Sequence, residues 1–274
     1  MYCVLIAVEN FKMTSELTVR QRDPAYLRIL QLTDTHIFES AEADFDGLDT
    51  SESLANVISA VREGGKAFDL VLVTGDLVHE PSQIAYSKLK SHLQEFKVPV
   101  VCLPGNHDEP GLMRECLNDA NVSTSKLLSC SNWSIIVLDT FLDGTHSGSL
   151  KKTELEFLEQ SLQLTRKHVL IAMHHHPVSI ESSWMDGMML ENAEEFFAIV
   201  DAFKQVKGII WGHVHQEIRV KRNSVQLYGS PSTCIQFKPR SNCFKRDSLP
   251  AAYSEIALDS SGACDIQTHY ISKV

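Results

Sequence analysis

Leu27-Arg28-Ile29-Leu30-Gln31-Leu32-Thr33-Asp34-Thr35-His36 is the stretch on which the architecture turns. It opens as a short, mostly apolar strand and runs at once into an Asp-x-His triplet. The same order returns four times. Leu70–Thr74 precedes Gly75-Asp76, and Pro99–Leu103 precedes Gly105-Asn106-His107-Asp108. Val169–Met173 precedes His174-His175-His176-Pro177, and Gly208–Trp211 precedes Gly212-His213-Val214-His215. Each of these pieces is weak alone, since Gly-Asp after a strand is most often a turn. In open α/β sheets, however, ligands collect outside the carboxyl ends of the strands. Five polar loops at five strand ends therefore predict one site.

Further strands are expected at Ser134–Leu138, Val225–Tyr228, Ser254–Leu258 and Ile266–Tyr270. The last two are joined by Asp259-Ser260-Ser261-Gly262, which reads as a hairpin turn. Helical periodicity appears in Leu54, Val57, Ile58 and Val61, and in Ala85, Leu89, Leu93 and Phe96. It returns in Leu155, Leu158 and Leu162, and in Phe196, Ile199, Val200 and Phe203. Alternating strands and helices predict an α/β fold with helices outside the sheets. Neither a repeat nor a low-complexity linker divides the 274 residues, so 1–274 is expected to form one domain.

Composition narrows the function classes. The formal charge of −10 sets up a field that repels nucleic acid, whose binding depends on Lys and Arg contacts to phosphate, and a nuclease is not expected. The longest apolar run, Tyr2 to Val8, is far short of the ~20 residues that span a bilayer, and it lacks the flanks of a secretory signal. A cytoplasmic protein with no membrane partner is the expectation. Seven cysteines, odd in number and scattered from Cys3 to Cys264, indicate neither a disulfide framework nor a zinc knuckle. Met13 heads a plainer start than Met1, so residues 1–12 are expected to be a dispensable extension. Lys238–Arg246 carries four basic residues and no acid; it reads either as a solvated loop or as a positive flap beside an anionic substrate.

Seven of the twelve histidines fall in the strand-end motifs, at 36, 107, 174–176, 213 and 215. Of the other five, His79 stands nearest a motif. Carboxylate, imidazole and amide oxygen together suit Fe, Mn, Co or Zn rather than Ca, and the absence of thiolates argues against a closed structural zinc site. Asp76 is the only acid of its motif and is the natural bridge between two ions.

The ordered set Asp34-x-His36, Gly75-Asp76, Gly105-Asn106-His107-Asp108, a His-x-Pro site and Gly212-His213-x-His215 resembles the calcineurin-like metallophosphoesterase superfamily. Within it, Leu30–His36, Leu103–Asp108, Met173–Pro177, Gly212–Gln216 and Pro231-Ser232-Thr233-Cys234-Ile235-Gln236-Phe237-Lys238-Pro239 are most similar to the bacterial class III 3′,5′-cyclic AMP phosphodiesterases. The resemblance implies a four-layer αββα sandwich with two mixed β-sheets and a cofactor of two divalent metal ions, Fe, Mn or similar. It assigns Asp34, His36 and His215 to one ion, Asn106, His213 and one histidine of the 174–176 run to the other, and Asp76 to both. The His-x-Pro spacing selects His175, whereas aligning the run from its start selects His174. Adjacent strand residues face opposite ways, so one of the two is expected to bind, with the spacing argument preferred.

The activity implied is opening of cyclic AMP to 5′-AMP by a hydroxide generated between the ions; the alternative is another phosphodiester or phosphomonoester. His107 is the expected catalytic residue. Asp108 either orients it or is a turn residue. His36, Asp76, Asn106, His107 and His215 would face the phosphate, while Gln236 and Phe237 would read the nucleoside beside Lys238. A non-catalytic scaffold on this fold would be free to lose ligands, yet every motif position carries one.

Overall fold

A computed structural model describes residues 16–271. The proposals about residues 1–12 and the apolar run at Tyr2 lie outside the described residues. In chain order the elements are β1 (Leu17–Thr18), β2 (Tyr26–Leu32), α1 (Thr50–Glu63), β3 (Leu70–Thr74), α2 (Gln83–Leu93) and β4 (Val100–Leu103). There follow α3 (Pro110–Cys116), β5 (Val122–Ser123), β6 (Leu127–Cys130), β7 (Trp133–Val137), α4 (Lys152–Leu164) and β8 (His168–Ala172). The remainder is α5 (Ser183–Asp186), α6 (Ala193–Val200), β9 (Val206–Trp211), β10 (Ile218–Arg222), β11 (Val225–Gly229), β12 (Ala252–Asp259) and β13 (Cys264–Tyr270).

The strands form two mixed sheets, one in the order β13-β12-β2-β3-β4-β5 and the other β1-β6-β7-β8-β9-β11-β10. Leu27, Ile29, Leu70 and Leu72 of the first sheet pack against Ile135, Leu170 and Ile210 of the second. The opposite faces are covered in turn. Leu54, Val57, Ile58 and Val61 of α1 and Tyr86 and Leu89 of α2 pack on Leu30, Val71 and Val73. Phe157 and Leu158 of α4 and Phe196 and Val200 of α6 pack on Ile136, Ile171 and Ile209. These contacts make four layers, α, β, β and α, as the family resemblance implies. Side chains of the central strands alternate between the inter-sheet core and the helix side, which is why those strands read as unbroken apolar runs.

Four neighbouring strands in each sheet run parallel: β2, β3, β4 and β5 in one, and β7, β8, β9 and β11 in the other. Their carboxyl ends share one edge of the sandwich. The sheets are stitched together there: the Gln31 amide donates to Trp211 O at 3.2 Å and Thr233 N–H donates to Thr33 O at 3.0 Å. Two helices stop short of the predicted periodicity. Phe96 lies beyond the end of α2 at Leu93, and Phe203 beyond the end of α6 at Val200; both side chains still pack against their cores from the following turn. Among the described residues no helix is long and apolar enough to cross a membrane.

Candidate metal centre

The loops after these strands leave the sheets abruptly. Asp34, His36, Asp76, His213 and His215 all have positive φ, between 44° and 65°. This left-handed region is uncommon for residues with a Cβ and persists only where the surroundings enforce it. Here they do. Asp34 N–H donates to Gly75 O and His36 N–H to Asp76 O, each at 3.0 Å. His213 N–H donates to both carboxylate oxygens of Asp34, at 3.0 and 3.1 Å. Two glycines permit the close approach. A Cβ on Gly75 would stand 2.3 Å from Nδ1 of His174, and one on Gly212 would stand 2.0 Å from Oγ1 of Thr33.

Two clusters result, with Asp76 in common. His36 Nε2 faces His215 Nε2 at 3.3 Å, and His215 Nε2 lies 3.4 Å from Asp34 Oδ1. Asp76 Oδ2 lies 3.6 Å from His36 Nε2, while Asp76 Oδ1 lies 3.3 Å from His174 Nε2. His174 Nε2 is also 3.2 Å from Asn106 Oδ1, and His174, His175 and His213 bring one ring nitrogen each within 4.8 Å of one another. Asp34, His36, Asp76, His174, His213 and His215 are all buried.

Hydrogen bonds fix the histidine tautomers, because a carbonyl oxygen can only accept. His174 Nδ1 donates to Thr74 O at 2.8 Å and His215 Nδ1 to Ile235 O at 2.7 Å. Each therefore presents an unprotonated Nε2 to the cluster when neutral, the arrangement typical of metal-ligating histidine. His175 differs. Its Nε2 donates to His146 O at 3.2 Å, leaving Nδ1 to accept from the Thr140 hydroxyl at 2.7 Å. Both nitrogens of His175 are thus engaged, so the geometry favours His174 over the spacing argument that preferred His175. His176 is buried, with Nε2 3.7 Å from Asp186 Oδ1.

The electrostatics fit two cations. Burial opposes charge on His174, but Asp76 outweighs it and lifts its pKa to about 9. Burial is likewise overcome at His215, where Asp34 lifts the pKa to about 10. Each cluster thus draws a positive charge into a buried site, where an unpaired charge would otherwise be strongly disfavoured. His213 Nε2 is buried without a hydrogen-bond partner. Carboxylates, imidazoles and one amide oxygen around such positions suit borderline divalent ions.

His107 stands beside both clusters. Its N–H donates to Asp76 Oδ1 at 2.9 Å, and its Nδ1 donates to His79 O at 2.8 Å. The proposed link from Asp108 to this imidazole is absent. The Asp108 carboxylate accepts from Leu77 N–H, Gly105 N–H and the Tyr86 hydroxyl at 2.8–3.1 Å, so it braces the loops under Asn106. Burial and the neighbouring Asp76 raise its pKa to about 7.

Gln236 also turns away from the expected role. Its Oε1 accepts from Ser232 N–H at 3.0 Å, and its Nε2 donates to Ser232 O at 2.8 Å and Pro250 O at 3.1 Å. The Ser232 hydroxyl in turn donates to Asp34 O at 2.9 Å. This stretch secures the Asp34 loop, and no polar atom of Gln236 is left for a base. Phe237 does line the cavity over the clusters, stacked on His215 with ring centroids 3.9 Å apart. The basic stretch at Lys238–Arg246 doubles back on itself, and two of its charges meet acids, Arg240 on Glu181 and Arg246 beside Asp46.

The cavity wall holds residues that sequence reasoning missed: Phe45, His146, Trp184, Met185, Met188 and Phe244. They come from loops and from the single turn of α5, none long enough to show a period. An aromatic residue inside an otherwise polar basic loop was the one available signal for Phe244.

Carboxylates, imidazoles and an amide gathered at the carboxyl edge of an αββα sandwich define a metallophosphoesterase. The chain belongs to the calcineurin-like phosphoesterase family, whose model matches residues 27–217. It is 36% identical over 262 residues to the 3′,5′-cyclic adenosine monophosphate phosphodiesterase CpdA of Escherichia coli, spanning 95% of each chain. The corresponding protein of Haemophilus influenzae is 34% identical over 89% of this chain and 90% of its own. A 3′,5′-cyclic-nucleotide phosphodiesterase of Nostoc is 37% identical over 80% and 82%. Among solved structures the fold is similar to a dimetal phosphatase from Danio rerio, with a TM-score of 0.59 at 16% identity, covering 91% of this chain and 100% of that one.

Proposed function

We propose that the chain hydrolyses 3′,5′-cyclic AMP to 5′-AMP at a centre of two divalent ions. The observation that carries this reading is the position of Asp76 between two buried ligand clusters, with His107 bonded to it. Asp34, His36 and His215 would hold one ion and Asn106, His174 and His213 the other, with one Asp76 oxygen toward each. When bound, such ions acidify water and neutralise charge on phosphoryl oxygens. The rest follows from the chain. A water oxygen forms the new bond to phosphorus, the bond to the 3′-oxygen breaks, and the departing oxygen needs a proton. His107 Nδ1–H is held by His79 O, so proton exchange with substrate runs through Nε2. The main-chain N–H of His107 is occupied by Asp76, which keeps that ring over the clusters.

The substrate assignment is supported by the names of relatives that align along most of the chain. Six unpaired cysteines among the described residues fit a reducing cytoplasm. The test is an assay of metal-loaded protein on cyclic AMP, cyclic GMP, linear diesters and monoesters, with products identified. Formation of 5′-AMP at the highest kcat/KM supports the reading; preference for a linear diester or a monoester overturns it. Asp76→Asn serves as the control, with metal content reduced and activity lowered about 100-fold or more on every substrate alike.

A further inference from the structure

The cavity over the clusters has a volume of about 330 Å³ and two unlike walls. The floor is the metal-facing set. Beyond it, His79 and His146 border the cavity, and the rest of the wall is largely apolar, made by Phe45, Trp184, Met185, Met188, Phe237 and Phe244. A phosphoryl group over the floor has no use for such a wall, so it must serve the rest of the substrate.

Phe237 lies flat against His215, with 6° between the ring planes. Trp184 and Phe244 meet Phe237 edge-on, with centroids 5.2 and 5.5 Å away. Phe244 is still 47% exposed, a large ring at the cavity that no other described residue covers fully. It is nonetheless well anchored. Lys238 N–H donates to Lys245 O at 2.7 Å, the Ser182 hydroxyl to Ser241 O at 2.9 Å, and the Arg246 guanidinium to Asp46 O at 2.6 Å. Among the described lining residues there is no hydroxyl, guanidinium or ammonium side chain, and the single amide is Asn106 of the floor.

Building on the cyclic nucleotide reading, we propose that Trp184 and Phe244, whose rings stand at 87° with centroids 6.0 Å apart, hold the nucleobase in an aromatic corner, one ring against its face and the other against its edge, rather than by hydrogen bonds that read it. A planar ring covers exposed aromatic surface and packs on it, whereas an edge-reading pocket would need several placed donors and acceptors, and the six residues of this wall offer one conventional donor, the Trp184 indole N–H. Fixing the base on the wall sets the phosphoryl group over the floor, so both residues act on substrate binding and leave the metal sites alone.

The test is steady-state kinetics of Phe244→Ala, Trp184→Ala and Trp184→Phe on cyclic AMP and cyclic GMP, with inorganic phosphate as a competitive inhibitor that lacks a ring. The alanine variants are expected to raise KM about 10-fold by the same factor for both purines. Trp184→Phe should restore most of that loss. The inhibition constant of phosphate, the metal content and the melting temperature of Phe244→Ala should stay at wild-type values. Unchanged KM in both alanine variants overturns the proposal, as does a phosphate constant that rises in step with KM, since that would mean the rings merely support the floor. Wild-type protein that hydrolyses other phosphoesters but no cyclic nucleotide would overturn the parent reading, and this one with it.

Discussion

Among the histidines of the site, what each ring nitrogen faces separates residues that the sequence could not. His174 and His175 are neighbours of identical chemistry, both buried. One gives Nδ1–H to a strand carbonyl and frees Nε2; the other has both nitrogens occupied. His174→Ala should therefore remove about one metal equivalent, while His175→Ala keeps both, as read by metal analysis of purified protein. The opposite pattern would return the role to His175. His107→Ala should retain its metal and lose about 10²–10⁴-fold in kcat, the usual range for general acid–base help. Loss of an equivalent in that variant would make His107 a ligand. The motif positions were legible because ligand chemistry demands particular side chains. The choice within the His174–His176 run was not, because it depends on Thr74, Thr140 and His146, which the fold brings in from far along the chain.

Among the elements, the stretch from Ser232 to Gln236 shows how a distinctive motif can be structural. Gln236→Ala leaves the Ser232 N–H and the Pro250 carbonyl without their partner, while the Ser232 carbonyl still accepts from Ala252 N–H. Unsatisfied buried groups of this kind cost about 1–3 kcal/mol each. The variant should melt several degrees lower and lose activity on cyclic AMP and bis(p-nitrophenyl) phosphate together. A selective loss on cyclic AMP, with stability unchanged, would restore the base-reading role. The strands that carry the site were readable for a different reason: buried parallel strands are continuous apolar runs between turn residues. What escaped were the edges. β1 and β5 have two residues each, and β10, Ile-Arg-Val-Lys-Arg, is a largely solvent-facing strand whose pairing with β11 comes only with the fold. The turn of α3 begins at Pro110, capped by Glu109, and has too few residues to show a period.

For the whole molecule, the ligands join two sheets. Asp34, His36, Asp76 and Asn106 follow strands of one sheet, and His174, His213 and His215 follow strands of the other. Ions held between them would cross-link the sandwich at one edge, and binding to the native state alone adds to its stability. Treatment with a chelator should lower the melting temperature by about 5–10 °C, with recovery on adding back manganese or iron. An unchanged melting curve after verified metal removal would mean that the edge is held by its hydrogen bonds alone.

The left-handed backbone at Asp34 and Asp76 also bears on how such a protein can change over generations. Asparagine is among the residues that best tolerate this conformation, and its amide oxygen could still accept the N–H groups of His213 and His107 that these carboxylates now receive. A single Asp→Asn step therefore replaces a charged, two-oxygen ligand with a neutral amide offering one oxygen. Without metal, the descendant keeps these hydrogen bonds and with them the fold, although it gives up the attraction between the carboxylate and His174 or His215. The scaffold is thus inherited more readily than the reaction, and a lineage that keeps both carboxylates does so under selection for chemistry.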